Sequence, residues 1–286
     1  MPLLYYWRAD NYARDLDEGV AYHLNQASAR LHSIPINDSL WAFTRRPDKT
    51  YVLAAELVVT AHTRNPPGYR YGPYRIWGHR KRSRYFATDR SPSAAPVIRR
   101  TSLQPAAKAL GRCFQGHAAV RAITAADGAM LRAFAKDLPL EPRASPLNEE
   151  ALEQAWRDED VTAIDRLVED RRIGLSKNRR AQLRTAPRRR RDLVIHLRQL
   201  YGGRCQVCRW RPDAALEVTV CECHHVQWLS RGGEDSLENL CLLCPNHHRL
   251  IHALDAPFDF QQGAFLLGEK TRLPLALRAH QLAPRA

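Results

Sequence analysis

Short apolar runs broken by turn residues dominate the first half of the chain. Ser39-Leu40-Trp41-Ala42-Phe43-Thr44 and the apolar run from Tyr51 to Val59 flank Pro47-Asp48. That pattern predicts two strands joined by a turn. Tyr6-Trp7 opens an earlier strand. From Thr124 to Leu138 the spacing turns helical, with Met130, Leu131 and Phe134 apolar and Thr124 placed as the cap. Pro139, Pro142 and Pro146 then mark a boundary. A second helix is predicted from Asn148 to about Arg171. Its stripe is Leu152, Trp156, Ile164, Leu167 and Val168, with acidic residues early and Arg171 and Arg172 late, as the helix dipole favours. Another, from about Arg189 to Tyr201, leads into a cysteine-rich end. The pattern is α+β, divided into residues 1–138, a helical and basic linker 139–190, and a C-terminal module 191–286.

Composition adds a probable partner class by charge. The 286 residues are 44% apolar, enough for one large or two modest domains. They carry 44 Lys and Arg against 30 Asp and Glu, a formal net charge of +14. Most of the excess is arginine, whose planar fork suits phosphate. A polyanion, most simply nucleic acid, is the expected partner. No stretch has the length of a membrane helix, and the start, Met1-Pro2-Leu3-Leu4-Tyr5-Tyr6-Trp7-Arg8, lacks a basic leader and long apolar core. The expectation is a cytoplasmic protein without a membrane partner. Of seven cysteines, six fall between Cys205 and Cys244. In a reducing compartment such clustering points to metal rather than disulfides.

Two ligand sets interleave there. Cys205-Gln-Val-Cys208 and Cys244-Pro-Asn-His247 each present two ligands from one tight turn. Three thiolates and an imidazole suit a closed, structural zinc site, which replaces a core that so short a segment cannot build. The second set is His224, His225, Asn239, His248 and His252. His248 and His252 lie four apart on a predicted helix and share a face. With His224 from the preceding strand they can hold a divalent ion with positions left open. His225 would point to the other face of that strand, free to take a proton from water, and Asn239 can fix the loop and orient His225. This supplies the Lewis acid and base that phosphodiester hydrolysis needs. His247 and His248 are adjacent, so their roles could be exchanged; the four-residue spacing to His252 favours His248 on the catalytic ion. Cys221, Cys223 and Cys241 read as small buried apolar residues, with Cys223 close enough to perturb the second site.

Cys205-x-x-Cys208, Glu222-Cys223-His224-His225-Val226, Leu229-Ser230-Arg231-Gly232-Gly233, Glu238-Asn239-Leu240 and Leu243-Cys244-Pro245-Asn246-His247-His248-Arg249-Leu250-Ile251-His252 strongly resemble the HNH endonuclease family. The resemblance covers about Arg204 to Leu254. It implies a ββα-metal fold, His225 as general base, His224, His248 and His252 on a catalytic Mn2+, Co2+, Ni2+ or Mg2+, and Asn239 as the orienting residue. The sequence departs from members with two Cys-x-x-Cys pairs, because the last zinc ligand here is His247. Beside such a module, the ten Lys or Arg from Arg171 to Arg191 read as a segment that tracks phosphates rather than a solvated linker. Arg179, Arg180, Arg188, Arg189 and Arg190 are its candidates.

The first 138 residues interleave arginines with aromatics, as in Tyr69-Arg70-Tyr71-Gly72-Pro73-Tyr74-Arg75-Ile76-Trp77. Stacking faces beside guanidinium groups suit a base taken out of its helix, although about half of these aromatics, Phe43 among them, are expected in the core. Tyr6-Trp7, His23-Leu24-Asn25-Gln26 and Ile36-Asn37-Asp38-Ser39-Leu40-Trp41-Ala42-Phe43 resemble the EVE-type members of the PUA superfamily. The likeness covers roughly residues 4–60, and loosely Phe114-Gln115-Gly116-His117 to Arg121. It implies a small β-barrel with flanking helices that holds a modified base, with Tyr6, Trp7, Trp41, Trp77 and Asn25 as candidate contacts. The glycine expected before Asp38 is Asn37 here.

A reader followed by an HNH module resembles modification-dependent restriction endonucleases. The resulting expectation is a type IV-like enzyme that flips a modified base, most simply a modified cytosine, in double-stranded DNA and cuts nearby, with a homodimer serving double-strand cleavage. The alternatives are an HNH nuclease of unmodified DNA, of homing or mobile-element type, and a zinc-stabilised nucleic-acid-binding protein that does not cut.

Overall fold

A computed structural model gives the fold. It describes all residues except 21, 117–118, 145–146, 170–174, 213–215, 217, 219, 279 and 285–286, and it describes the backbone but not the side chains of 185–190. The chain forms two compact units, Met1–His62 with Tyr71–Ser145, and Thr63–Arg70 with Pro146–Ala286. The expected linker therefore has no separate existence as a unit, and the segment after the prolines belongs with the C-terminal module.

The first unit holds β1 (Leu3–Tyr6), α1 (Ala9–Glu18), β2 (His23–Gln26), β3 (Ser39–Arg45), β4 (Tyr51–Arg64), β5 (Tyr74–Gly78), β6 (Arg84–Tyr85), α2 (Ala95–Arg99), β7 (Val120–Ala122) and α3 (Ala125–Phe134). Its seven-stranded sheet runs β2-β5-β4-β3-β1-β7, with β6 on β4. β1 lies parallel to β3, and β3 antiparallel to β4 with a bulge between Ala42 and Phe43. Among the described residues no pairing joins the edge strands β2 and β7, so the sheet is open. The continuous apolar runs of β1 and β3 reflect burial on both faces. Leu3, Tyr5, Leu40 and Ala42 face one core, while Leu4, Trp41 and Phe43 face the other. The Pro47-Asp48 turn forms as expected, Asp48 accepting from the Thr50 N–H at 2.9 Å. Thr124 caps α3 through a reciprocal bond pair with Asp127, and the helix ends at Phe134, short of Leu138. Asn37 has φ 70°, a left-handed conformation that explains why glycine suits this position and asparagine tolerates it.

The second unit contains α4 (Glu149–Arg157), α5 (Val161–Val168), α6 (Lys177–Tyr201), β8 (Glu222–His225), β9 (Leu240–Leu243), α7 (Pro245–Leu254), β10 (Phe258–Asp259), β11 (Ala264–Leu266) and β12 (Arg272–Pro274). The single helix expected from Asn148 is broken in two. Glu159 takes φ 54°, and Asp160 caps α5 by accepting from the Ala163 N–H at 2.9 Å. A continuous apolar stripe hides this break, because Leu152, Trp156, Ile164 and Val168 all pack in one cluster with Leu183 and Leu229. The last helix before the cysteines begins earlier than expected, capped by Ser176, and takes in the basic run from Lys177 onward; Arg171 and Arg172 lie outside the described residues. β8 and β9 form a hairpin, with His224 opposite Cys241 and His225 opposite Leu240. The hairpin packs on the C-terminal half of α6, α7 and the β10-β11-β12 sheet around Leu197, Ile251, Phe258 and Phe265. Cys221, Cys223 and Cys241 lie within this core. Thr63–Arg70 joins the unit through the Arg64 N–H, which donates to Asp259 at 3.1 Å. No helix among the described residues is long and apolar enough to cross a membrane.

The basic run is less free than its composition suggests. Arg179 is buried, 4% exposed, and donates to the carbonyl of Leu229, to that of Gly233 at 3.2 Å and to Gln182 at 3.0 Å. Arg180 donates to the Leu175 carbonyl and pairs with Glu169. Arg179 holds the fold instead of facing solvent, capping carbonyls of the 229–233 loop, while Arg180 is partly exposed and bonded within its own segment. The side chains of Arg188, Arg189 and Arg190 lie outside the described residues. Replacing Arg179 with alanine should therefore lower stability by about 1–3 kcal/mol, the cost of stranding buried carbonyls. Arg191→Ala, which loses one exposed pair with Glu159, should stay within about 0.5 kcal/mol. Denaturant midpoints of the two variants check this; equal midpoints would overturn it.

Candidate nuclease centre

A knuckle at Cys205–Cys208 and the start of α7 bring four ligands together. The Sγ atoms of Cys205, Cys208 and Cys244 and a ring nitrogen of His247 lie within 4.8 Å of one another. Cys244 Sγ is 3.1 Å from His247 Nδ1 and Cys208 Sγ 3.9 Å from Cys244 Sγ. Gln206 ties the knuckle to β9, its N–H donating to the Leu242 carbonyl and its side-chain oxygen accepting from the Leu242 N–H. Burial raises the Cys205 thiol, but the N–H groups of Cys208, Cys244 and Val207 outweigh it and hold the thiol below its ordinary value. Burial, helped by the neighbouring Cys205, pushes Cys244 up to about 11. Thiols this close repel as thiolates, and a cation among them removes the conflict. Donor chemistry and geometry both fit a closed tetrahedral ion.

The second cluster is built on the hairpin and α7. His224 and His225 end β8, and His248 and His252 lie one turn apart on α7. All four are buried, His224 and His225 completely. His248 and His252 approach through their Nε2 atoms at 3.1 Å. His224 meets both rings, with centroids 5.1 and 4.8 Å away. The structure thus places His248 with His224 and His252, and His247 with the thiols. Glu222, at the start of β8, lies 2.6 Å from His248 Nδ1. That contact fixes the tautomer and turns Nε2 inward, as carboxylate partners do for metal-binding histidines. Neither ring nitrogen of His224 has a hydrogen-bond partner. An imidazole enclosed without a partner is costly, and a divalent ion between these three rings supplies what it lacks.

Residues that spacing did not reveal complete the centre. Asp235 lies 2.9 Å from His225 Nε2. An ionised Asp235 accepts the Nε2 proton, leaving the lone pair on Nδ1. Glu153 of α4 is 1% exposed and touches all four rings. Its Oε2 is 3.0 Å from His248 Nε2 and 3.2 Å from His252 Nε2, and its Oε1 is 3.9 and 3.8 Å from the Nδ1 atoms of His224 and His225. The four ligand atoms of Glu153, His224, His248 and His252 lie within 4.8 Å of one another. Burial raises the Glu153 carboxyl, but His225, His248, His252 and the charge at His224 together hold it well below its usual range. Burial lowers His224 strongly. In His252 burial is outweighed by Glu153, and the net shift is upward. Trp156 stands edge-on to His225 at 6.1 Å, and Trp228 lies against His252 at 4.8 Å. One signal was available for Glu222, its place beside the His224-His225 pair. Asp235 and Glu153 carry none, since one sits in a loop and the other far upstream.

Asn239 acts on the loop between the strands. Its side chain accepts from the Gln227 N–H at 2.7 Å and donates to the carbonyls of Gln227 and Glu234 at 2.8 Å each. The direct partner of His225 is Asp235, so any orienting by Asn239 runs through the loop that carries Asp235. Gly233 is required here because a Cβ would lie 2.0 Å from the Gln227 carbonyl oxygen.

In the first unit the aromatic candidates do not form one cage. Trp41 is fully enclosed and Trp7 is 4% exposed; strand alternation puts them in opposite cores. Burial denies Trp41 a face for a base, and its place is a packing role. Tyr6 is half-buried beside Phe43 and Tyr51. Gly111 lets the chain pass its ring, where a Cβ would come within 2.7 Å. Asn25 and Trp77 are brought together through Arg75, which donates to Asn25 at 2.7 Å and lies 5.3 Å over the Trp77 ring.

The family model for HNH endonucleases matches residues 205–254, so the knuckle, hairpin and α7 form an HNH endonuclease domain. None of the curated proteins matches the chain. Among solved structures the chain is similar to the type IV phosphorothioation-dependent restriction endonuclease ScoMcrA, with 16% identity and a TM-score of 0.19. The overlap covers 74% of this chain and 40% of that one, so this chain spans under half the length of that enzyme.

The two ligand clusters should separate in stability. Cys205→Ser should lower the unfolding temperature by roughly 6–12 °C for a loss of about 3 kcal/mol, because metal binding at a closed site is folding energy. His248→Ala should lower it by less than half as much. Calorimetry on the metal-loaded protein checks this, and indistinguishable losses would refute the division into two kinds of site.

Proposed function

We propose that the protein is a metal-dependent endodeoxyribonuclease that cuts double-stranded DNA bearing a modified base, with the HNH domain performing hydrolysis and the first unit reading the base. The observation that carries the hydrolytic part is the convergence of His224, His248 and His252 beside His225, whose Nε2 is engaged by Asp235. In this reading the Cys205, Cys208, Cys244 and His247 group holds structural zinc, and the three histidines hold the catalytic cation. A divalent ion there would supply Lewis acidity toward a phosphate oxygen. The chain's own residues do the rest. Glu222 keeps His248 in the ligating tautomer. Asp235 keeps Nδ1 of His225 unprotonated, so that nitrogen can accept a proton from the attacking water. Asn239 and Gly233 hold the loop that carries Asp235.

Support for the reader is of a different kind. It rests on the EVE-like order of the sequence, on the half-buried Tyr6, and on the Asn25, Arg75 and Trp77 cluster. A planar base needs a stacking face and polar groups at its edge; Tyr6 has a partly exposed ring, while Trp77 and Arg75 are buried against each other and would have to part to admit one. Modified cytosine is the simplest target. The net charge of +14 supplies the sequence-independent attraction to DNA. A homodimer would provide the second centre needed to cut both strands.

Matched plasmids carrying cytosine, 5-methylcytosine or 5-hydroxymethylcytosine test the whole reading. Cutting should be confined to modified substrate; equal cutting of all three would leave a nuclease of unmodified DNA. Tyr6→Ala should weaken binding to modified duplex by about 1–3 kcal/mol and leave plain duplex unchanged, read by titration of the intact chain. His225→Ala should abolish cleavage while keeping the melting profile and DNA affinity. Asp235→Asn should reduce the rate at least tenfold, because an amide no longer favours the required tautomer. Wild-type rates in either variant would remove the base assignment. Three imidazoles favour manganese, cobalt or nickel over magnesium at equal concentration, and a cation series in the same assay would show it.

A further inference from the structure

The HNH domain match begins at residue 205, yet a residue far upstream sits in the middle of the centre. We infer that Glu153 is a fourth protein ligand of the catalytic cation, and that through it α4 is clamped over the nuclease centre. This rests on the three histidines holding a cation, as proposed above.

Three observations point the same way. First, the carboxylate is placed as a ligand would be. Oε2 lies 3.0 and 3.2 Å from two inward-facing Nε2 atoms, and the four ligand atoms lie within 4.8 Å of one another. Second, polar atoms in the group are buried and unsatisfied. Oε1 of Glu153 and both ring nitrogens of His224 have no hydrogen-bond partner, and the two residues are 1% and 0% exposed. Hydrogen bonds between Glu153 and the histidines do not settle them; an ion shared by the group would take the carboxylate and one nitrogen of His224. Third, contacts on either side of Glu153 hold α4 over the centre in this closed arrangement. One turn before it, Glu149 accepts from the N–H groups of Leu229 and Ser230 at 2.9 and 2.7 Å. Further along, the Trp156 ring N–H donates to the Leu183 carbonyl at 3.2 Å, and Arg157 pairs with Glu222, the residue that also orients His248.

The consequence concerns access. Catalytic ions keep a position open for water or substrate, whereas a full set of protein ligands makes a closed site. With Glu153 on the ion and every histidine enclosed, a phosphate oxygen reaches the centre only when α4 yields. Glu153 is therefore a ligand that closes the centre, and α4 is the element that opens it.

The test uses the full chain loaded with zinc at the thiol site and titrated with Ni2+. Wild type and E153Q, nearly isosteric, are compared by calorimetry, and hydrogen exchange of residues 149–157 is followed with and without Ni2+. The expected result is tight binding of one Ni2+ by wild type, binding at least tenfold weaker by E153Q, and slower exchange across α4 on adding Ni2+ to wild type only. Equal Ni2+ affinity in the two proteins would overturn the role of Glu153 and leave the three-histidine reading standing. Absence of Ni2+ binding in wild type would overturn both. The exchange measurement on wild type decides independently of the variant: α4 unaffected by bound Ni2+ contradicts the clamp.

Discussion

Five titratable side chains, Glu153, His224, His225, His248 and His252, share one volume from which water is almost excluded. Burying such groups is expensive unless each finds a partner. The rest of the second unit serves that constraint. The knuckle and the start of α7 fix the base of the helix that carries His248 and His252. Gln206 locks the knuckle to β9, and β9 sets the register that places His224 and His225 at the end of β8. Glu222 and Asp235 each satisfy one histidine from outside. The ring of His224 and one oxygen of Glu153 have no hydrogen-bond partner, and a cation in the group would engage them.

The order of strengths matters for how this part of the chain folds. The hairpin is short, four residues to a strand, and two such strands are marginal in water. Leu240, Leu242, Phe258 and Phe265 bury apolar area beneath it. Thiolates at Cys205, Cys208 and Cys244 would repel one another, and a cation among them would lift that penalty.

What could be read from the sequence follows from this. Ligands supplied in pairs by tight turns, or four apart on a helix, declare themselves by spacing, and the structure gathers Cys205, Cys208, Cys244 and His247 in one cluster and His224, His248 and His252 in another. The β3–β4 hairpin and the α3 cap were legible because local patterns determine them. Glu153 was not, because on α4 it sits among ordinary acidic residues and its partners lie far away in the chain. The break between α4 and α5 was hidden by an apolar stripe that continues across it; only the capping chemistry of Asp160 reveals it. Arg179 was misread for the opposite reason. In a run of like charges nothing marks a guanidinium, such as that of Arg179, that turns inward to cap loop carbonyls. Trp41 shows the same limit: an aromatic in a strand buried on both faces looks, in sequence, like one that stacks on a ligand.

The identity of the group that covers the centre carries its own argument. An apolar side chain from α4 would have sealed the cluster equally well against water, but it would have left the inward nitrogens of His248 and His252 without partners. A lysine or arginine would have repelled the cation. A carboxylate avoids both difficulties, since it meets the imidazole nitrogens when no ion is bound and would ligate when one is. It also has the charge sign of a phosphodiester oxygen and offers the same kind of donor atom. A centre shaped to bind phosphate is for that reason also shaped to bind Glu153. Closing the site with this residue pairs the inward nitrogens of His248 and His252 without altering the geometry that a substrate would meet once α4 has moved.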